Sequence, residues 1–295
     1  MELRQVRYFL AVAEELNFGR AAVRLQIAQP PLSRQIRQLE EELGVQLFYR
    51  TKRRVELTEA GMAFLKETRQ ILAQVEQSVQ VVQRASRGEI GRLIVGFEGS
   101  STYDVIPISL KVYRQRFPEV ELVVYAMTTE EQIQALLEGR IGLGFVVSPL
   151  NDKRLVIEII LREPLILAIP EGHPLAARSE VRVRELASEP FIMFQHNRGC
   201  GLYNQVIAVC QRANFIPRVI QEADEMQVML GFVAAEMGIA LLSASVQHFQ
   251  RPGVVYRPLQ QSTPKVTLAV AWRRDVQSAV LQSFIEVVRE CAQGG

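Results

Sequence analysis

Apolar residues recur three and four apart over the first third of the chain, then give way to short solid apolar runs. Over residues 3–16, Val6, Phe9, Leu10, Ala13 and Leu16 fall on one helical face. A short helix is predicted at 20–25, where Ala21 and Ala22 allow close helix contact, followed by a turn at 26–29. A second helix begins at Pro30 and Pro31, where proline is tolerated because the first helical N–H groups lack partners anyway. Leu32, Ile36, Leu39 and Leu43 form its apolar stripe, and Ser33, Arg34, Arg37 and Gln38 its other face. Gly44 ends it as a C-cap. Two strand-like pieces at 46–49 and 55–57 then bracket residues 50–54, four of which are basic. The pattern predicts a winged helix-turn-helix over 1–57.

Thr58 is placed to cap a long helix that contains no Pro or Gly from Met62 to Arg87. Leu65, Thr68, Leu72, Val75, Val79 and Val82 alternate three and four apart, which is a heptad seam. Residues 58–88 therefore read as a dimerising linker helix. Beyond residue 89 the pattern becomes alternating strands and helices. Strands are expected at 93–97, 120–126, 141–147, 165–169, 191–194, 219–221 and 265–272. Helices are expected at 105–117, 130–138, 202–213, 225–236 and 276–291. That alternation reads as an α/β domain with a parallel sheet.

The stretch AAVRLQIAQPPLSRQIRQLEEELGVQLFYR resembles the helix-turn-helix of LysR-type transcriptional regulators, and a weaker likeness extends over all 295 residues. Gly19 stands where the family usually has a capping Ser or Thr, and Ala28 where Ser is common; glycine is an acceptable N-cap. The resemblance implies a periplasmic-binding-protein-like, two-lobed α/β effector domain over 89–295. Lobe I would comprise 89–162 and 266–295, and lobe II 163–265. It further implies double-stranded DNA as a partner, a homo-oligomer (dimer or tetramer), RNA polymerase as a candidate contact, and a small organic anion as co-inducer. Residues expected at DNA are Gln29, Pro30, Pro31, Ser33, Arg34, Arg37 and Gln38 on the reading helix, with Lys52, Arg53 and Arg54 at the wing tip.

Composition narrows this picture. Hydrophobic residues make up 48% and charged residues 22%, ordinary values for a globular protein. The net charge of +2 gives no global case for nucleic acid, so that case rests on local distribution. No run of 18 apolar residues and no signal peptide is evident, which predicts a cytoplasmic protein without a membrane partner. Three cysteines fit a reducing compartment. His173, His196 and His248 are far apart and in no metal-ligand spacing, and no nucleophile elbow or dinucleotide fingerprint occurs. Neither an enzyme nor a resident metal or cofactor is expected.

A ligand cleft is expected where strands end and helices begin, because unpaired N–H groups there attract anions. Three such junctions are polar or glycine-rich: 98–102, 127–129 and 197–201. Ser100, Ser101, Thr128 and Thr129 would offer hydroxyls from one lobe. Gly199 and Gly201 would offer backbone approach from the other, beside Leu202. GFEGS and YAMTTEEQIQALLEGRIGLGF also resemble the LysR subgroup that governs aromatic-compound degradation and binds muconate-like diacids, which implies carboxylate contacts from Ser100 and Thr129. Val147 and Leu202 depart from that subgroup, which often has Arg and an aromatic residue there. Two other readings stay open. One is a redox sensor using Cys200 and Cys210, whose ten-residue helical separation of about 15 Å would require unwinding. The other is a solute-binding protein or enzyme with a merely structural N-terminal domain.

Overall fold

The structure is a computed structural model that describes residues 1–51, 54–98, 105–148, 150–195, 200–260 and 263–293, with residue 200 described in its backbone alone. The chain forms two compact units, Met1–Arg84 and Ala85–Gly295.

In the first unit, α1 (Leu3–Glu15), α2 (Phe18–Arg24) and α3 (Gln29–Leu43) enclose a core in which Phe9, Val12, Ala21, Leu32, Ile36 and Leu39 lose all contact with water. β1 (Phe48–Arg50) and β2 (Val55–Leu57) form an antiparallel ribbon with Arg50 opposite Val55. α4 (Glu59–Ser86) follows, started by Thr58, whose Oγ accepts the Gly61 N–H and donates to the Gln46 carbonyl.

Three expectations for this unit need correction. The cap of α2 is Asn17, whose side chain accepts the Arg20 N–H at 3.0 Å; Gly19 lies inside the helix. Leu16 is not inward, because it takes a left-handed conformation that ends α1 and leaves it 47% exposed. Leu43, the last residue of α3, is also exposed.

The second unit holds a five-stranded sheet in the order β4-β3-β5-β12-β6. Its strands are β3 (Ile90–Phe97), β4 (Glu119–Ala126), β5 (Leu143–Ser148), β6 (Leu155–Glu163) and β12 (Val266–Arg273). β3 is parallel to β4 and β5, whereas β12 runs antiparallel to β5 and β6. The sheet is therefore mixed, not parallel. The β6 strand, unassigned in the sequence reading, forms the edge that closes it.

α5 (Val105–Arg116) and α9 (Ala279–Gln293) cover one face, with Tyr113 against Phe284 at 4.9 Å. α6 (Thr129–Leu137) covers the other. A second core gathers the rest: an antiparallel sheet of β7 (Leu165–Pro170), β10 (Ala240–Ser243) and β11 (Val254–Pro258), and the parallel pair β8 (Pro190–Phe194) and β9 (Arg218–Ala223). α7 (Cys200–Arg212) and α8 (Met226–Ala234) pack on it. Every residue of β7 is buried, as expected of a central strand covered on both faces. β10 and β11, also unassigned from sequence, are short flanking strands. The fold is thus a winged helix-turn-helix, a long helix and a mixed α/β domain in two parts, with chain crossings between β6 and β7 and between β11 and β12.

Candidate DNA-reading face and effector cleft

α3 starts one residue earlier than its proline pair suggests, at Gln29, with Ala28 in extended conformation before it and no side-chain cap. Leu32, Ile36 and Leu39 point into the core with no exposed surface. Gln29, Pro30, Ser33, Arg34, Arg37 and Gln38 line an open groove on the opposite side with Glu41. Arg34 and Arg37 are exposed, and neither forms an ion pair with a described residue. Most neighbouring cations are committed: Arg20 and Arg24 to Glu14 and Glu15, Arg54 to Glu56 at 2.8 Å. An α-helix presenting unspent guanidiniums and amides on its outer face carries the donors that guanine and adenine edges accept in the major groove. Lys52 and Arg53 lie outside the described residues. Arg54, at the end of the wing, is exposed.

Sequence reasoning missed Glu40, which fixes the wing to α3. Its carboxylate accepts the N–H groups of Leu47 (2.9 Å) and Phe48 (3.2 Å) and pairs with Arg50, whose guanidinium lies 5.1 Å from the Phe18 ring centre. Leu47 and Phe48 are almost wholly buried, so water cannot replace the carboxylate. Replacing Glu40 with alanine is expected to cost about 2–4 kcal/mol, because it orphans two buried donors and a guanidinium. Chemical denaturation of the isolated protein measures this directly; an unchanged midpoint would show that the clamp contributes nothing.

The second candidate site lies at the carboxyl ends of the parallel strands. Register places Phe97 of β3 beside both Ala126 of β4 and Phe145 of β5, so Glu98, the start of α6 and Val147 converge. Thr128 caps α6: its Oγ accepts the Glu131 N–H, and the Glu131 carboxylate accepts the Thr128 N–H. Thr129 is buried. Its hydroxyl donates to Glu98 Oε2 at 2.6 Å and accepts the Val147 N–H at 3.1 Å. Burial pushes the Glu98 carboxyl above the usual range; the Thr129 hydroxyl and N–H oppose this, and the charge of Glu130 adds to it. One turn on, Gln132 is wholly buried and donates to the Met127 carbonyl. It fits because Gly96 and Gly144 lie beneath it: a Cβ on Gly144 would come within 2.7 Å of Gln132 Oε1.

From the other part of the domain, Gly201 approaches Val147. A Cβ there would meet Val147 Cγ1 at 2.7 Å, so this glycine serves helix-to-strand approach. Leu202 is 7% exposed and packs in the second core, whose members include Val147. Ser100, Ser101 and Gly199 lie outside the described residues. Thus Thr129 and Gly201 meet at Val147, and Thr128 caps the helix that Thr129 begins. Glu98 and Gln132 are members that the sequence reading did not single out, although an acid directly after a buried strand was a usable signal for the first.

Two family profiles match the chain, and the second begins within a residue of the second compact unit. Residues 3–62 match "Bacterial regulatory helix-turn-helix protein, lysR family", and residues 86–293 match "LysR substrate binding domain". The chain belongs to the LysR family of transcriptional regulators. It is 40% identical to the HTH-type transcriptional regulator AlsR of Bacillus subtilis (strain 168) over 97% of this chain and 95% of that one. The crystal structure of CbnR, a LysR family transcriptional regulator, superposes with TM-score 0.87 at 31% identity, covering 98% of this chain and all of that one. Full-length CbnR complexed with its target DNA matches with TM-score 0.85 at 31% identity, over 99% and 100% of the two chains.

This LysR-type regulator is a poor fit to the redox reading. Cys210 is fully buried in the second core, and burial pushes its thiol up to about 12, so at neutral pH it is protonated and unreactive. His173 caps a 3-10 turn at Pro174–Ala177 through Nδ1, a structural task. Among the described residues no cluster of His, Cys, Asp and Glu could hold a metal, and no helix is long and apolar enough to cross a membrane.

Proposed function

We propose that this regulator binds an inverted-repeat operator as a dimer or tetramer, reads base edges with the outer face of α3, and alters promoter geometry when a small organic anion enters the cleft beside α6. The observation that carries the reading is the pair of unspent guanidiniums, Arg34 and Arg37, on a helix whose opposite face is locked into the core. That CbnR has been solved with its target DNA supports the same docking. The working division is a reader at 1–57, a linker at 58–88 and an effector domain at 89–295, with lobes at 89–162 plus 266–295 and at 163–265. A DNA target fits a cytoplasmic protein. RNA polymerase is the natural receiver of the signal.

Arg34→Ala is expected to weaken operator binding by about 1–3 kcal/mol and to relax preference at a single base position. Fluorescence anisotropy against an operator and its single-base variants tests it. Wild-type affinity across the set would place base reading elsewhere.

A further inference from the structure

Three glutamates in succession, Glu40, Glu41 and Glu42, lie in the last turns of α3, and two of them are spent within the protein. Glu40 holds the wing, and Glu42 pairs with the terminal ammonium of Met1. Glu41 is exposed and has neither an ion pair nor a hydrogen bond among the described residues. Arg37 stands one turn before it, a spacing at which opposite charges commonly meet on a helix, yet the two do not pair.

The helix sets where Glu41 points. It follows the buried Leu32 by nine residues, and at about 100° each these make about two and a half turns. Glu41 therefore points straight away from the core. The same count puts its direction between those of Arg34 and Arg37, in the groove it shares with them and with Gln38. A carboxylate at the centre of a face that meets DNA is repelled by phosphates, so it is tolerated only where something else attracts it. It accepts hydrogen bonds and donates none. In the major groove guanine N7 and O6 and thymine O4 are acceptors as well, and they oppose it. Adenine offers its N6 amine beside the N7 acceptor. Cytosine offers its N4 amine with no acceptor on its own groove edge.

We propose that Glu41 determines operator specificity by accepting a hydrogen bond from cytosine N4 in each half-site. Arg34 and Glu41 stand about 10 Å apart along the helix axis, so they read different base pairs. Any other base at the Glu41 position presents the carboxylate with an acceptor, and the repulsion rejects that sequence. This rests on α3 reading base edges, as proposed above.

The test uses the full-length protein, a duplex it selects from a random-sequence pool, and every single-base-pair variant of that duplex. Fluorescence anisotropy is read for the wild type, Glu41→Gln and Arg34→Ala at one fixed salt concentration. The Glu41 side chain is exposed, so Glu41→Gln is expected to melt as the wild type does. The wild type is expected to prefer cytosine at one position per half-site by at least about fivefold. In Glu41→Gln that preference is expected to fall below about twofold or to turn to adenine, whose N6 and N7 a glutamine amide engages together. Preferences at the other positions are expected to stay. A Glu41→Gln protein that keeps every wild-type preference overturns the proposal. So does one that binds all duplexes more tightly by the same factor, which marks a carboxylate facing phosphates alone, and so do preferences that shift at many positions. If Arg34→Ala changes one position while Glu41→Gln changes none, the reading face stands and Glu41 has no part in it. If neither variant changes any preference, the α3 reading falls and this proposal with it.

Discussion

Leu72→Asp combined with Val79→Asp is expected to give a protein that no longer assembles and binds a two-half-site operator at least a hundredfold more weakly. The stripe that contains them changes character along α4. At its start Leu65 packs against the reader core and Thr68 is fully buried, so these positions serve the first unit itself. From Leu72 and Val75, half-buried, the stripe continues to Val79 and Val82, which are 51% and 69% exposed. An apolar heptad stripe left in water on a 28-residue helix needs a partner helix, and each Val or Leu removed from water there contributes roughly 1.5–3 kcal/mol. Aspartates in the seam replace that gain with paired like charges. Loss of pairing then removes the second reading head, and with it an avidity of about 10²–10⁴. Sedimentation and operator binding measured together decide the matter. A variant that stays oligomeric and binds normally would assign assembly to other surfaces.

Gly61→Ala is expected to destabilise the DNA-binding unit by about 2–4 kcal/mol and to abolish operator binding near physiological temperature. Helix propensity alone argues the other way, since glycine inside a helix costs about 1 kcal/mol relative to alanine. Here the backbone of α4 lies against the wing: a Cβ on Gly61 would stand 2.1 Å from the Leu47 carbonyl oxygen, and its neighbour is main chain that cannot swing aside. Leu47 is also a residue whose N–H Glu40 holds, so the displacement reaches the clamp between wing and reading helix. Gly231→Ala in α8 is the matched control, because nothing lies within 4 Å of the added methyl. Melting curves of both variants suffice. Equal stability for Gly61→Ala and the wild type would refute the contact.

The sequence by itself determined the reader. A stripe at Leu32, Ile36 and Leu39, prolines at the helix start and Gly44 at its end are local signals, and the α3 they imply differs from the structure by a single residue at its start. The long α4 was legible for the same reason, because periodicity and Thr58 act within one turn of the chain. Small local errors came from competing caps: Asn17 has a side-chain acceptor and Gly19 has none, so the helix begins at the former.

Tertiary structure alone decided the cleft. Thr129 looked like a free hydroxyl in the sequence, yet sheet register brings it to Glu98, 31 residues earlier, and to Val147, 18 residues later. The sequence also could not show that Leu202 packs in the second core together with Val147, or that Gly201 stands against Val147. The mixed sheet was hidden likewise, since the direction of β12 depends on where the chain returns and not on its own apolar run. Helix signals repeat every three or four residues and can be read along the chain. Which strand ends share an edge is set by pairings between distant segments, and only the folded backbone brings those donors and carboxylates within hydrogen-bonding reach.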